Sequence, residues 1–144
     1  MNTQESLELL KKYLYNFDNQ FIIHPYFIKE MAHLIKNDLK GKEALFFKQL
    51  ATQLKNIISL KRKVNIADSN ELLKNTGTDN SGNAWELYSI HFERKNCYNI
   101  RFIISFNENS DPLLLTTFNE RAGKKRTDYT IPIKNAKERK TELL

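Results

Sequence analysis

Three strand-like runs follow one another late in the chain, with only short connections between them. They are Trp85-Glu86-Leu87-Tyr88-Ser89-Ile90-His91-Phe92, Tyr98-Asn99-Ile100-Arg101-Phe102-Ile103-Ile104-Ser105-Phe106 and Leu113-Leu114-Leu115-Thr116-Thr117-Phe118. The links Glu93-Arg94-Lys95-Asn96 and Asn107 to Asp111 are hairpin-sized and too short for a crossover helix, so the three runs are expected to pair as antiparallel neighbours. Such a sheet must bury at least one apolar face, and the first part of the chain offers the cover. Thr3 can cap a helix over 3–17 with Leu7, Leu10, Leu14 and Phe17 on one side. Phe21-Ile22-Ile23-His24 is a short strand candidate stopped by Pro25. Helical spacing returns over 26–37 (Phe27, Met31, Leu34, Ile35) and again over about 42–60 (Leu45, Phe46, Leu50, Leu54, Ile57, Ile58), with a break at Asn37 to Gly41. These two segments predict an α-hairpin whose apolar faces need a sheet to cover. Lys61-Arg62-Lys63 opens a polar stretch, and Asn75 to Asn83 reads as a loop. Pro132 suits the first turn of a last helix over 132–142. Helices early and strands late predict an α+β fold.

A chain of 144 residues is enough for one domain with its own core and too short for two comfortable ones. No run approaches the ~20 apolar residues that cross a bilayer, and Met1 to Glu8 lacks the basic and then apolar pattern of a secretory signal. The single cysteine, Cys97, cannot form an internal disulfide; a cytoplasmic protein is expected. The net charge of +6 is localised: between Arg121 and Lys140 eight Lys or Arg face only Asp128 and Glu138, so this stretch carries the whole excess. A solvated face, a nucleic acid or an acidic protein partner would each account for such a run. One cysteine and three scattered histidines offer no zinc set, and four glycines form no phosphate loop. No metal and no cofactor is expected.

The element order and four local patterns together resemble the RelE/HigB superfamily of toxins from toxin–antitoxin pairs, in its HigB-like, phage-related branch. The patterns are Trp85-Glu86-Leu87, Asn99-Ile100-Arg101-Phe102, Leu114-Leu115-Thr116-Thr117-Phe118, and Pro132 with the basic helix Ile133-Lys134-Asn135-Ala136-Lys137-Glu138-Arg139. The likeness spans roughly residues 20–142. It implies one RelE-like domain over 1–144, in which a small antiparallel sheet packs against an α-hairpin, with 1–19 as an added helical extension and a basic helix at the C-terminal end. It also implies an endoribonuclease that needs no metal and cuts mRNA at the ribosome, arresting translation and growth. A cognate antitoxin, often a helix-turn-helix protein, would neutralise it. The ParE branch of the same fold binds DNA gyrase without catalysis, and charge alone would equally suit a nucleic-acid-binding regulator.

RNA cleavage of this kind needs a group to take the 2′-hydroxyl proton, positive charge on the phosphorane, and a proton for the leaving 5′-oxygen. The candidates are Arg101, Arg121, Lys124, Lys125, Arg126, Tyr129 and His91. Arg101 lies within an apolar strand, where its head group must reach water, a partner or a ligand: either the scissile phosphate or an ion pair, for which Glu86 is the nearest suggestion. Arg121, Lys124, Lys125 and Arg126 would bind phosphate, or form a solvated loop, or dock an acidic antitoxin segment. Tyr129 would stack on a base, pass a proton, or pack the last helix on the sheet. His91 would serve as general base or be structural. Arg94 and Lys95 at a hairpin tip, with Lys134 and Lys137 on the last helix, are further RNA-contact candidates.

Overall fold

The computed structural model describes residues 3–15, 21–60, 70–120 and 128–144. Among the described residues nine elements follow in chain order: α1 (Thr3–Tyr15), β1 (Ile22–Ile23), α2 (Pro25–Lys36), α3 (Glu43–Leu60), β2 (Asn70–Leu72), β3 (Tyr88–Arg94), β4 (Tyr98–Phe106), β5 (Pro112–Asn119) and α4 (Thr130–Leu143). The architecture is α+β, with one sheet in the order β1-β5-β4-β3-β2. The expected antiparallel pairing holds from β3 to β5, and β2 adds to β3 in the same sense. The sheet as a whole is mixed, because β1 joins the outer side of β5 in parallel. That departure has a simple cause: α2 carries the chain away from β1, so no hairpin ties β1 to its neighbour. The three-residue β2 falls in the polar stretch after α3, where no strand was expected from sequence.

Residue identity explains the boundaries. Pro25, expected only to stop β1, is also the first residue of α2, where its missing N–H costs nothing. His24 caps that helix through Nδ1, which accepts from the Tyr26 backbone N–H at 3.1 Å. Its Nε2 must then carry the proton, and it meets the Glu142 carboxylate at 2.7 Å, tying the end of α4 to the start of α2. Gly41, at φ +80°, takes the left-handed turn between α2 and α3.

The main core lies between the sheet and α1–α3. Tyr98, Ile100, Phe102, Ile104 and Phe106 alternate along β4 onto this side. Phe102 meets Phe92 at 4.5 Å and Phe27 at 4.9 Å between ring centroids. Leu10 and Leu14 of α1 belong to the same core, so the N-terminal helix adds buried apolar surface on this side of the sheet. Phe17 lies outside the described residues. On α3 the buried stripe is Phe46, Phe47, Leu50, Leu54 and Ile57. Leu45, expected to face the core, is instead 40% exposed; it stands one helical step off that stripe, and Phe47 fills the opposite flank. Among the described residues no helix is long and apolar enough to cross a membrane.

A second, smaller core sits on the other face of the sheet, beneath α4. It gathers Leu87, Ile103, Leu113, Leu115 and Ala136, with Trp85, Phe118, Ile133 and Leu143 packed around them. A register shift in the β4–β5 ladder shapes this face: Ile103 opposes Thr116 and Ile104 opposes Leu114, leaving Leu115 as the extra residue. Strict alternation would put Phe118 on the side of Leu114, in the main core. The extra residue moves Phe118 across to stand opposite Arg101, and Glu120 follows it. Beyond the short β1, the open edge of β5 is capped by charge. Glu30 accepts from the Thr117 N–H at 3.4 Å, and Arg139 donates to both Glu30 at 2.6 Å and the Leu115 carbonyl at 2.9 Å.

Candidate functional site

The α4 side of the sheet is apolar at one end and polar at the other. The β3–β4 register sets His91 against Arg101 and Glu93 against Asn99, with Ser89 one step along. The shifted β5 adds Phe118 and Glu120, and Tyr129 arrives at the start of α4. These side chains form one connected group. Arg101 donates through Nε to Glu120 Oε2 at 2.7 Å and through Nη1 to Ser89 Oγ at 3.2 Å. Tyr129 donates its phenol to the other oxygen, Glu120 Oε1, at 2.8 Å. Its ring stands edge-on to Phe118, 5.4 Å between centroids. His91 Nε2 touches Asn99 Oδ1 and lies 3.7 Å from Glu120 Oε2 and 3.5 Å from Glu93 Oε2. The side chains of Arg101, Glu120 and His91 are 14%, 15% and 18% exposed, so the group is shielded but reachable from solvent.

The electrostatics follow from this geometry. Burial works to raise the Glu120 carboxyl, but hydrogen bonds from Arg101 and Tyr129, with the Arg101 and His91 charges, outweigh it and hold the acid below its ordinary range. Tyr129 moves the other way: burial first, then the bond to anionic Glu120, pushes its phenol up to about 12. Around neutral pH Tyr129 is therefore a proton donor and not a base. Arg101 is a fixed cation. His91 adds an imidazole to the group.

Of the residues singled out from sequence, His91, Arg101 and Tyr129 meet here. Arg94 and Lys95 are exposed at the β3–β4 turn, at the same end of the sheet. Lys134 and Lys137 lie on α4, and the Lys137 ammonium sits 5.8 Å from the centre of the Trp85 ring. Arg121, Lys124, Lys125 and Arg126 lie outside the described residues. The ion-pair partner of Arg101 is Glu120, not Glu86. Glu120 and Ser89 were missed from sequence. No signal pointed to Glu120, because a regular strand would have aimed it at the opposite face. Among the described residues no three His, Cys, Asp or Glu side chains converge as metal ligands would.

Comparison of the chain with protein-family models, with curated proteins and with solved structures finds no match in any of the three.

Proposed function

We propose that this chain is a cytoplasmic endoribonuclease of RelE/HigB type, the toxin of a toxin–antitoxin pair, which cleaves mRNA at the ribosome without a metal. The observation that carries the reading is the meeting of an arginine, an imidazole and a protonated phenol around one carboxylate, Glu120, on an accessible sheet face. Those are the three chemical parts such cleavage needs. His91 takes the proton as the 2′-hydroxyl attacks its neighbouring phosphorus. Arg101 stabilises the negative charge of the phosphorane. Tyr129 gives its proton to the departing 5′-oxygen and recovers one from water. A phenol near 12 is still a far stronger acid than the alcohol that forms. Glu120 positions Arg101 and Tyr129 and does not itself touch the reacting atoms. Arg121, Lys124, Lys125 and Arg126 are kept from the sequence reading as candidate phosphate contacts. The products are a 2′,3′-cyclic phosphate and a 5′-hydroxyl. A helix-turn-helix antitoxin is the expected partner.

The test is cleavage of a defined RNA by purified protein in excess chelator, with the product ends identified. Arg101→Ala is expected to lose about 100-fold or more in rate, the usual effect of removing one preorganised charge donor. Undiminished cleavage by that variant ends the assignment of Arg101.

One observation favours a second reading. Glu120 already matches the Arg101 charge at 2.7 Å, as a structural pair would. A binder without catalysis, either the gyrase-directed ParE type or a nucleic-acid-binding regulator, is then the alternative. Gyrase poisoning would induce a DNA damage response, and a regulator would bind RNA in a steeply salt-dependent way while leaving it intact.

A further inference from the structure

The chain's single tryptophan, Trp85, has no role in the group around Glu120, yet its backbone is held with unusual care. Glu86 sits at φ +57°, in the left-handed region that residues other than Gly, Asn and Asp rarely take. Two buried polar groups hold the bend. Lys140, 6% exposed, donates to the Trp85 carbonyl at 2.7 Å. Buried Ser105 reaches the Trp85 carbonyl at 3.1 Å and the Glu86 carbonyl at 2.8 Å. Backbone strain that its surroundings over-determine in this way tends to mark a functional position. Here it fixes a half-buried indole at the margin of the small core, with Lys137 over its ring.

Trp85 and Arg101 stand toward the two ends of the sheet face that α4 covers, with buried Ile103 and Ser105 between them. On the sheet, Arg101, Ile103 and Ser105 alternate along one face of β4, which separates the two ends by about 13 Å. From the N-cap of α4 onward, Tyr129, Ile133 and Lys137 recur every fourth residue and cover about 12 Å. Tyr129 belongs to the Glu120 group, Ile133 to the small core and Lys137 to Trp85. A trough of about 620 Å³ runs beside these helix residues, lined also by Lys134, Asp128 and Glu138. A single nucleic-acid strand has the matching chemistry: a phosphate at one end and, a short run of nucleotides away, an unstacked base that needs an aromatic partner.

We propose that Trp85 is a base-stacking platform for single-stranded RNA, with Lys137 swinging off the ring to the phosphate beside the stacked base, and that the strand follows the α4 trough to Arg101. This rests on reading the Arg101 face as an RNA site and adds to it a second, remote contact that holds substrate. Such contacts are tolerant of base identity, since every base has a stacking face.

The experiment uses the full chain and an all-2′-deoxy oligonucleotide of about 10 nucleotides, which lacks the attacking hydroxyl and cannot be cleaved. Because Trp85 is the only tryptophan, its emission reports on this position alone. Saturable quenching is expected, with the bound indole protected from acrylamide. Trp85→Leu and Lys137→Ala are each expected to weaken binding of a labelled oligonucleotide by about tenfold, with unchanged far-ultraviolet circular dichroism. Binding without any change in Trp85 emission overturns the platform while leaving the Arg101 reading intact. Absence of binding at low salt also overturns it, and the cleavage assay on Arg101 then decides the nuclease reading separately.

Discussion

Arg101 and Phe102 are adjacent in the chain and stand on opposite faces of one strand, and the two faces obey different rules. Toward α1–α3, every second residue of β4 is apolar, and none of the five is more than 6% exposed. That side is a continuous aromatic and aliphatic seal. Toward α4, the same strand is divided: Ile103 and Ser105 are buried, whereas Asn99 and Arg101 remain half-open. One side holds the sheet to its helices. The other spends part of its surface on polar groups that satisfy one another. The sealed core and the polar group are thus separated by a single peptide bond, and substitutions one residue apart should report on different properties.

The largest effect is expected on the sealed side. Phe102→Ala empties the centre of the ring cluster formed with Phe27, Phe46 and Phe92 and should cost about 3–5 kcal/mol in denaturant unfolding. A cost under about 1 kcal/mol would mean that this face is not where stability is concentrated.

The two faces were also unequally legible in the sequence. Apolar strand-like runs located β3, β4 and β5, and period-3.6 patterns located α2 and α3, because burial concentrates apolar residues in those elements. The hairpin-sized links announced the antiparallel core of the sheet. The parallel docking of β1 was hidden because partner choice for a two-residue strand is a tertiary matter. The polar face was half readable. An arginine within β4 stood out as an apolar-strand anomaly, and it does have a carboxylate partner. The partner was misassigned because the extra residue at Leu115 leaves no trace in composition. Without it Glu120 would point away from Arg101, and no residue-type pattern announces a shift of one.

A double-mutant cycle on the open side comes next in size. Arg101→Ala and Glu120→Ala each strand a shielded, charged partner and should cost about 1–3 kcal/mol. The double variant should cost clearly less than the sum, since the second substitution removes the group that the first left unmatched. Simple additivity would show that the 2.7 Å pair contributes nothing through contact. The pair also sets an acid limb. The Glu120 carboxyl is held below its ordinary 4.5, so its contribution is present above that value and is lost as pH falls through the lower, folded-state value. Glu120→Gln should flatten the acid side of the stability profile in that window, and an unchanged profile would contradict the placement of the charge.

The smallest effect discriminates most finely between the faces. Tyr129→Phe keeps the edge-on contact with Phe118 and removes only the hydrogen bond to Glu120, so it should cost about 1 kcal/mol. Its signature lies at high pH. The phenol is raised from 10.0 to about 12, so its contribution is fully present below 10.0 and is lost as pH rises through the folded value. An ultraviolet titration should therefore show Tyr129 still protonated when exposed phenols have ionised, and Tyr129→Phe should remove its share of the late titration. Tyr98, also raised because it is buried, lies on the sealed side and donates to Gln49 Oε1; its titration should be untouched by any change at Glu120. If Glu120→Gln moved both tyrosines together, the two faces would be electrostatically coupled through the sheet. If it moved Tyr129 alone, the polar group would be an independent unit, as a site able to change its charge without loosening the fold must be.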